Sequence, residues 1–160
     1  MLYHKNDYFC PMKQITLSNG QFAQVDNEDF ERLNKFRWFP FKHRNTTYAM
    51  RHKSILMHRE IMNAQKGEQI DHKDRDGLNN TTENLRKATH AQNMANRKAS
   101  GKSSKYLGVC WDKGKYRASL TTNNQTKELG RFVSEDEAGK AYNKGALKYH
   151  GEFANLNIIT

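Results

Sequence analysis

A short window of the chain gathers side chains that could activate water against a phosphate ester. Asp71 and His72 are adjacent, Asn84 follows the histidine by twelve residues, and Asn93 comes nine residues later. An imidazole titrates near neutral pH, so His72 can accept a proton from water. Carboxylate and amide oxygens suit Mg²⁺ or Mn²⁺, so we expect Asp71 and Asn93 to bind one divalent ion. Asn84 is expected to orient His72 through its side chain.

The elements that must position these residues follow in the order strand, loop, strand and helix. The polar stretch 73–82 predicts a loop after the Asp-His pair, and 85–88 resumes an extended run. Thr89 is the expected N-cap of a helix over roughly residues 90–98. Asn93 would point from that helix toward the Asp-His pair. Alternatively, the Asp-His pair and the asparagines serve only turns and caps, which favour these residue types.

The same window resembles the HNH nucleases of phages and mobile introns, over about residues 56–97. The matching segments are Leu56-Met57-His58-Arg59, Ile70-Asp71-His72, Asp76-Gly77-Leu78-Asn79-Asn80, Glu83-Asn84-Leu85-Arg86 and His90-Ala91-Gln92-Asn93. The resemblance implies a ββα-metal (His-Me finger) fold that cuts DNA, with His72 as general base. It also implies Asp71 and Asn93 as ligands of one divalent ion, and Asn84 as the asparagine that supports the histidine. His58 is expected to pack or hydrogen-bond at a helix start, with substrate contact as the alternative.

The cysteines exclude one feature that many relatives of this kind carry, a structural zinc on paired CxxC motifs. The only cysteines are Cys10 and Cys110, which lie far apart in the sequence. We therefore expect one Mg²⁺ or Mn²⁺ per active site, no structural zinc and no disulfide framework.

The positive charge of the chain predicts a polyanionic partner. The formal net charge is +10 and the isoelectric point is about 9.6. Residues 97–133 hold nine basic and two acidic side chains, whereas residues 1–96 hold fifteen and eleven. The charge excess is therefore concentrated toward the C-terminus and favours double-stranded DNA as the partner. A merely solvated basic surface is the alternative.

This basic segment coincides with a predicted three-stranded antiparallel sheet. Polar and apolar residues alternate strictly over 115–121, and 106–111 and 126–132 are its expected neighbouring strands. A helix that begins after Ser134 should cover the apolar face, leaving a polar face suited to the major groove of DNA. The candidate DNA contacts are Arg97, Lys102, Lys105, Trp111, Lys115, Arg117, Ser119 and Thr121. Trp111 could equally be a packing residue.

Residues 104–157 also resemble the plant ethylene-response-factor (APETALA-two type) DNA-binding domain. The matching segments include Tyr106-Leu107-Gly108-Val109, Lys115-Tyr116-Arg117-Ala118, Leu129-Gly130-Arg131-Phe132 and Asn155-Leu156-Asn157. The resemblance implies that the sheet lies in the major groove. Arginines expected near Leu107 and Cys110 are absent, and Glu128 stands where a large aromatic is usual. The sequence preference of the plant proteins is therefore not transferred.

Together these patterns predict an α+β protein, in which an N-terminal ββα-metal nuclease module is followed by a three-stranded antiparallel sheet packed on one helix. Residues 1–55 would form a β-rich leader on the nuclease, 56–97 the nuclease module, 98–105 a basic linker and 106–160 the DNA-binding domain. Within the leader, we expect a hairpin around Ser18-Asn19-Gly20, a helix capped by Asp26, and a core that includes Trp38, Phe39 and Phe41.

The remaining features narrow the class of protein. Mean hydropathy is −1.02, and no apolar run approaches the ~20 residues of a membrane span. We expect an intracellular, cytoplasmic protein with no membrane partner and no small-molecule cofactor.

A metal-dependent, sequence-recognising endonuclease of the homing type fits best; a monomer would nick DNA and a homodimer could cut both strands. The alternatives are a non-catalytic transcription regulator that uses the C-terminal sheet and a packaging accessory protein.

Overall fold

The computed structural model describes residues 12–97, 103–122 and 125–160. The chain forms two compact units, Met1–Lys87 and Ala88–Thr160. Small antiparallel sheets and a few helices make up both units, which confirms the mixed α and β character predicted from the sequence. The boundary between the units falls within the predicted segment 56–97, so the helix that carries Asn93 groups with the second unit. Within the described residues, no helix has the length and apolarity needed to span a membrane.

The first unit consists of short strands and two short helices. In chain order these are β1 (Met12–Thr16), β2 (Phe22–Asp26), α1 (Asn27–Leu33), β3 (Phe39–His43), β4 (Thr46–Arg51), β5 (Ile55–Leu56), α2 (Met57–Ile61), β6 (Gln69–His72) and β7 (Leu85–Ala88). β1 pairs with β2, β3–β4–β5 form an antiparallel sheet, and β6 pairs with β7. The hairpin predicted around Ser18-Asn19-Gly20 is confirmed, with Gly20 at a positive φ of 84° in its turn.

One hydrophobic core joins the leader to the segment that follows it. Its buried members are Ile15, Leu17, Ala23, Val25, Leu33, Trp38, Ala49 and Met57. The predicted burial of Trp38 is confirmed, and its indole N–H donates to the Leu33 carbonyl at 2.8 Å. The predicted burial of Phe39 and Phe41 is wrong, because they are 39% and 37% exposed. β3 is an edge strand, and these two rings lie on its face away from the buried Ala49.

The second unit packs a helix on a three-stranded antiparallel sheet. Its elements are α3 (His90–Ala95), β8 (Val109–Asp112), β9 (Lys115–Thr122), β10 (Gln125–Phe132) and α4 (Glu135–His150), with β9 in the centre of the sheet. The core between sheet and helix contains Tyr106, Leu107, Val109, Ala118, Leu120, Ala138, Tyr142 and Ala146. Gly145 lets α4 approach closely, since a Cβ there would lie 2.7 Å from Leu129.

The start of α3 follows the sequence prediction, and its end does not. Thr89 is the N-cap: its hydroxyl accepts from the Gln92 N–H at 3.3 Å, and the Gln92 side chain accepts from the Thr89 N–H at 2.8 Å. The helix ends at Ala95, whereas the pattern predicted roughly residues 90–98. Asn93 lies on this helix and is half-buried.

Candidate active site

The loop between β6 and β7 is held by hydrogen bonds around Asp74. Asn84 donates through Nδ2 to Asp74 Oδ1 at 2.9 Å and accepts at Oδ1 from the Asp74 N–H at 3.0 Å. Asn79 donates to Asp74 Oδ2 at 2.7 Å. Burial raises the pKa of Asp74, but hydrogen bonds from the Asp76 N–H and from the Asn79 and Asn84 amides outweigh it, so the pKa lies below its ordinary value. The loop is therefore built around a stably charged carboxylate.

Strand β2 of the leader fixes the second half of this loop. The Gln24 N–H donates to the Leu78 carbonyl, and the Asn80 N–H donates to the Gln24 carbonyl, both at 2.8 Å. The Asp26 carboxylate accepts from the Thr82 N–H at 2.8 Å and from its hydroxyl at 2.6 Å. Asp26 occupies the predicted N-cap position of α1, but its side chain makes no capping hydrogen bond and binds Thr82 instead.

A glycine allows the loop to approach β4. A Cβ on Gly77 would lie 2.4 Å from the Thr47 carbonyl oxygen and 2.6 Å from the Tyr48 ring. These distances are shorter than any real Cβ contact, so no other residue fits at this position without a shift of the backbone. The close approach brings the loop against Tyr48.

Three aromatic rings from three elements meet beside this loop. His72 ends β6 and is 6% exposed; its ring centroid lies 4.9 Å from that of His58 on α2, edge to face. Tyr48 on β4 lies 5.7 Å from His72 and 5.4 Å from His58. His58 is buried, which agrees with the expected packing role at a helix start. The His72 ring is therefore held by packing as well as by polar groups.

Both imidazoles are held toward the neutral form. Burial lowers the pKa of His72, while a hydrogen bond with Asn80 and the negative charges of Asp74 and Asp71 oppose the shift without cancelling it. Burial, then the charges of His72 and Arg59, lower the pKa of His58 to about 3. A neutral imidazole can accept a proton from water, so His72 is in the state that a general base requires.

Asn84 supports the loop, whereas Asn80 is the amide that interacts with the His72 ring. The side-chain hydrogen bonds of Asn84 go to Asp74 and to the Asn79 carbonyl, the latter at 2.8 Å. The Lys73 N–H donates to the Asn84 carbonyl at 2.9 Å, directly after His72 in the chain. The expectation that Asn84 orients His72 through its side chain stays a prediction. Asn80, which is fully buried, was not singled out from the sequence.

Asp71 is paired with an arginine that the sequence did not single out either. Arg86 on β7 places Nη2 at 2.7 Å and Nε at 2.8 Å from Asp71 Oδ2, and both side chains are largely buried. The pair fixes the orientation of the carboxylate. Asp71 is the second-last residue of β6 and Arg86 is the second residue of β7, so the pair becomes recognisable only when the ends of both strands are known.

The donor types fit a hard divalent ion. Among the described residues, no group of three or more His, Cys, Asp or Glu side chains could hold a metal. One carboxylate and one amide oxygen are, however, a sufficient protein contribution for Mg²⁺, which keeps several waters and binds substrate phosphate. Asp71 belongs to the first unit and Asn93 to the second, so their expected convergence stays a prediction.

The sheet of the second unit separates polar from apolar side chains as its sequence predicted. On β9, Ala118 and Leu120 are buried on one face. On the other face, Lys115 and Thr121 are exposed, while Arg117 and Ser119 are half-buried. Arg117 lies opposite Cys110 on β8 and Arg131 on β10. These arginines form the centre of the polar face.

Arg131 is a member of this face that the choice of contact candidates missed. It forms ion pairs with Asp112 at 2.9 Å and with Glu128 at 3.1 Å. Arg131 lies opposite Arg117 because a bulge between Glu128 and Gly130 shifts the pairing of β10 with β9. The polar face therefore carries acidic as well as basic groups.

The remaining DNA-contact candidates lie in different surroundings. Trp111 is paired with Tyr116, and their ring centroids are 4.7 Å apart, so Trp111 is on the helix-facing side of the sheet although it is 52% exposed. Lys105 is exposed, 3.8 Å from the Asp136 carboxylate and over the Tyr106 ring. Arg97 is exposed, and its carbonyl accepts from Asn155 at 2.6 Å. Lys102 lies outside the described residues.

Similarity to known proteins identifies the family of the chain. Residues 63–95 match the model of the HNH endonuclease family, a range that contains all four candidate active-site residues. A protein of Acanthamoeba polyphaga mimivirus named as an uncharacterized HNH endonuclease is 30% identical over 148 residues, covering 88% of this chain and 76% of that protein. No solved structure gives a significant match. The chain therefore belongs to the HNH endonuclease family.

Proposed function

We propose that this protein is a metal-dependent, sequence-recognising DNA endonuclease of the homing type. His72 is the general base, Asn84 supports it, and Asp71 with Asn93 holds one Mg²⁺ or Mn²⁺ ion. The observation that carries the proposal is the buried His72, whose pKa burial lowers, at the start of a loop that is hydrogen-bonded to β2 and β7 and lies close against β4. A base in a rigid position is what an in-line attack of water requires.

The surroundings of His72 suit proton transfer from water. His58 and Tyr48 fix the plane of the ring, and the amide of Asn80 interacts with it. The imidazole takes a proton from a water molecule, and that water attacks the phosphorus atom as the bond to the 3′ oxygen breaks. The products would then be a 5′-phosphate and a 3′-hydroxyl.

The second requirement of the reaction is positive charge at the phosphate. Arg86 holds the Asp71 carboxylate in one orientation, and Asn93 would supply the second protein ligand from α3. A divalent ion bound there supplies positive charge to the phosphate and to the departing 3′ oxygen. β6, β7 and α3 would together form the ββα-metal module.

The second unit would recognise the DNA. Its polar face offers Lys115, Arg117, Ser119 and Thr121 to the major groove, as the likeness to the ethylene-response-factor domain implies. Arg97, Lys102 and Lys105 precede the sheet and would contact phosphates. One active site per chain means that a monomer nicks double-stranded DNA and a homodimer cuts both strands.

Incubation of the protein with supercoiled plasmid tests this function. We expect conversion to open-circular or linear DNA in Mg²⁺, none in EDTA, and 5′-phosphate at the new ends. Asp71→Asn, purified in the same way, controls for a contaminating nuclease and should leave the plasmid supercoiled. A wild-type protein that binds the plasmid but leaves it supercoiled in both Mg²⁺ and Mn²⁺ would instead be a transcription regulator.

A further inference from the structure

The first unit carries a second concentration of positive charge, separate from the C-terminal sheet. Residues 35–54, which include β3 and β4, contain six Lys and Arg side chains and no Asp or Glu. The preceding residues 12–34 contain two basic and four acidic side chains. The charge of this unit is therefore unevenly distributed, with the basic groups on one hairpin and its flanks.

Most of these cations have no acidic partner. Arg37, Lys42, Arg44 and Lys53 are exposed, and within the described part of the chain none of them forms an ion pair with a carboxylate. Arg51, in contrast, is paired with Glu60 at 2.8 Å. Like charges without counterions repel each other, so such a cluster is suited to an anionic partner.

Exposed aromatic rings lie among these cations. Phe36, Phe39 and Phe41 are 42%, 39% and 37% exposed. The Arg37 guanidinium lies over the Phe39 ring, 5.5 Å from its centroid. Phe36, Arg37, Phe39 and Lys53 line a common groove. Cationic groups interleaved with flat apolar rings can contact both the phosphates and the sugars of a nucleic acid.

The strand register connects this surface to the candidate base. Phe39, Phe41 and His43 lie on one face of β3, and Phe41 is directly opposite Tyr48 on β4. Paired residues of antiparallel strands share a face, so Tyr48 continues the row of rings that begins at Phe39. The Tyr48 ring in turn contacts His72, with centroids 5.7 Å apart. DNA that presents a phosphate to His72 would thus pass beside the hairpin.

We propose that this β3–β4 surface, formed by Arg37, Phe39, Phe41, Arg44 and Lys53, binds the DNA backbone beside the phosphate that is cut. The inference rests on the proposed function, because it takes His72 as the point at which the substrate is attacked. It adds a second DNA contact on the nuclease unit itself, so that binding does not depend on the C-terminal sheet alone.

The salt dependence of DNA binding by the full chain tests the surface. Binding of a labelled duplex is measured by fluorescence anisotropy in EDTA, which removes cleavage from the measurement. The test variant is Arg37→Gln with Lys53→Gln. The control is Lys13→Gln with Lys66→Gln, which removes two positive charges elsewhere in the same unit, from the half-buried Lys13 and the exposed Lys66. Each lost phosphate contact reduces the slope of log affinity against log salt by about 0.9. We therefore expect the slope to fall by about 2 in the test variant and to stay unchanged in the control.

Three results separate the possible outcomes. An unchanged slope in the test variant, or an equal fall in both variants, would overturn the surface as a specific contact. Arg37→Lys with Lys53→Arg keeps both charges and should retain the wild-type slope; if it binds as weakly as the Gln variant, the charges are not the cause. Plasmid cleavage by the wild type in Mg²⁺ is measured separately. If the wild type did not cleave, the proposed function would fail, whereas a reduced salt slope in the test variant would still support DNA binding by the surface.

Discussion

The loop after β6 and the sheet-helix core of the second unit are stabilised by different forces. In the loop, polar side chains bind backbone groups around the Asp74 carboxylate, next to the buried Asp71. In the second unit, Ala118, Leu120 and Tyr142 form an apolar interface between the sheet and α4. A polar network fixes the orientation of its side chains because hydrogen bonds are directional. An apolar interface fixes mainly the distance between the elements it joins, because hydrophobic burial is not directional. Substitutions in the first region should therefore alter chemistry, and those on the polar face of the second should alter affinity.

The two regions each contain an aspartate-arginine pair. Breaking these pairs should give the largest difference between the regions in the free energy of unfolding. Asp71→Asn removes the carboxylate that pairs with the buried Arg86 and should lower the free energy of unfolding by about 3–5 kcal/mol. Asp112→Asn breaks the more exposed pair with Arg131 and should cost about 0–1 kcal/mol. Urea unfolding without metal measures both. Equal effects would mean that burial does not distinguish the two sites.

Two asparagine networks permit the next comparison. Asn84→Ala removes the amide that joins Asp74 to the Asn79 carbonyl and should cost about 1–3 kcal/mol, together with most of the cleavage activity. Asn143→Ala is the matched variant in the second unit, where Asn143 exchanges hydrogen bonds with the Asn157 backbone at 2.7 and 2.8 Å. It should cost a similar free energy and leave the cleavage rate of bound DNA unchanged. If Asn143→Ala lost the cleavage rate while Asn84→Ala kept it, the assignment of the chemistry to the first unit would be contradicted.

The buried histidine pair should make the first unit sensitive to acid. The pKa of His58 is about 3 in the folded protein and 6.5 ordinarily, so the unfolded state binds the proton more strongly between these values. Its contribution to stability is complete above the ordinary pKa and falls by about 1.4 kcal/mol per pH unit as the pH drops toward 3. Besides the ring of His72, the groups that face His58 are Arg59 and Tyr48.

Thermal unfolding between about pH 7 and pH 5 measures this sensitivity. His58→Phe keeps an apolar ring in the site and should reduce the fall in unfolding temperature over that range. His52→Phe alters an exposed histidine of the same unit and should behave as the wild type does. If His58→Phe retains the full acid sensitivity, the loss of stability at low pH arises from another titrating group and not from His58.

The smallest expected effect belongs to the polar face of the sheet. Arg117→Gln should reduce the salt slope of DNA binding by about 1 and weaken affinity, with no change in the cleavage rate of fully bound DNA. Binding titrations in EDTA and cleavage at saturating protein measure the two quantities. A reduced rate at saturation would show that the second unit also takes part in the chemistry.

Local patterns in the sequence predicted the local structure well. The alternation over 115–121 identified both faces of β9, because strand side chains alternate whatever the surrounding fold. The turn at Ser18-Asn19-Gly20 and the cap at Thr89 depend on only a few consecutive residues, and both are present. The local pattern also predicted that Asp71 and His72 lie at the end of a strand.

Contacts between distant residues could not be predicted from such patterns. Asp26 looked like a helix cap, but its carboxylate binds Thr82, which is 56 residues away. The packing of Tyr48 against His72 and the pairing of Arg86 with Asp71 likewise depend on how strands are placed side by side. Phe39 and Phe41 were expected in the core because they are apolar, yet an edge strand leaves them exposed. Hydrophobicity alone does not say which face of a strand is covered.

Cleavage of bound DNA by His72→Ala is the most direct test of the account. Single-turnover cleavage in Mg²⁺, with protein in excess over a labelled duplex, gives the rate of the chemical step, and anisotropy in EDTA gives the affinity. Removal of a general base should lower that rate by about 10²–10⁴-fold and leave the affinity within about twofold of the wild type. A His72→Ala protein that binds equally well and cuts at the wild-type rate would contradict the assignment of the catalytic base.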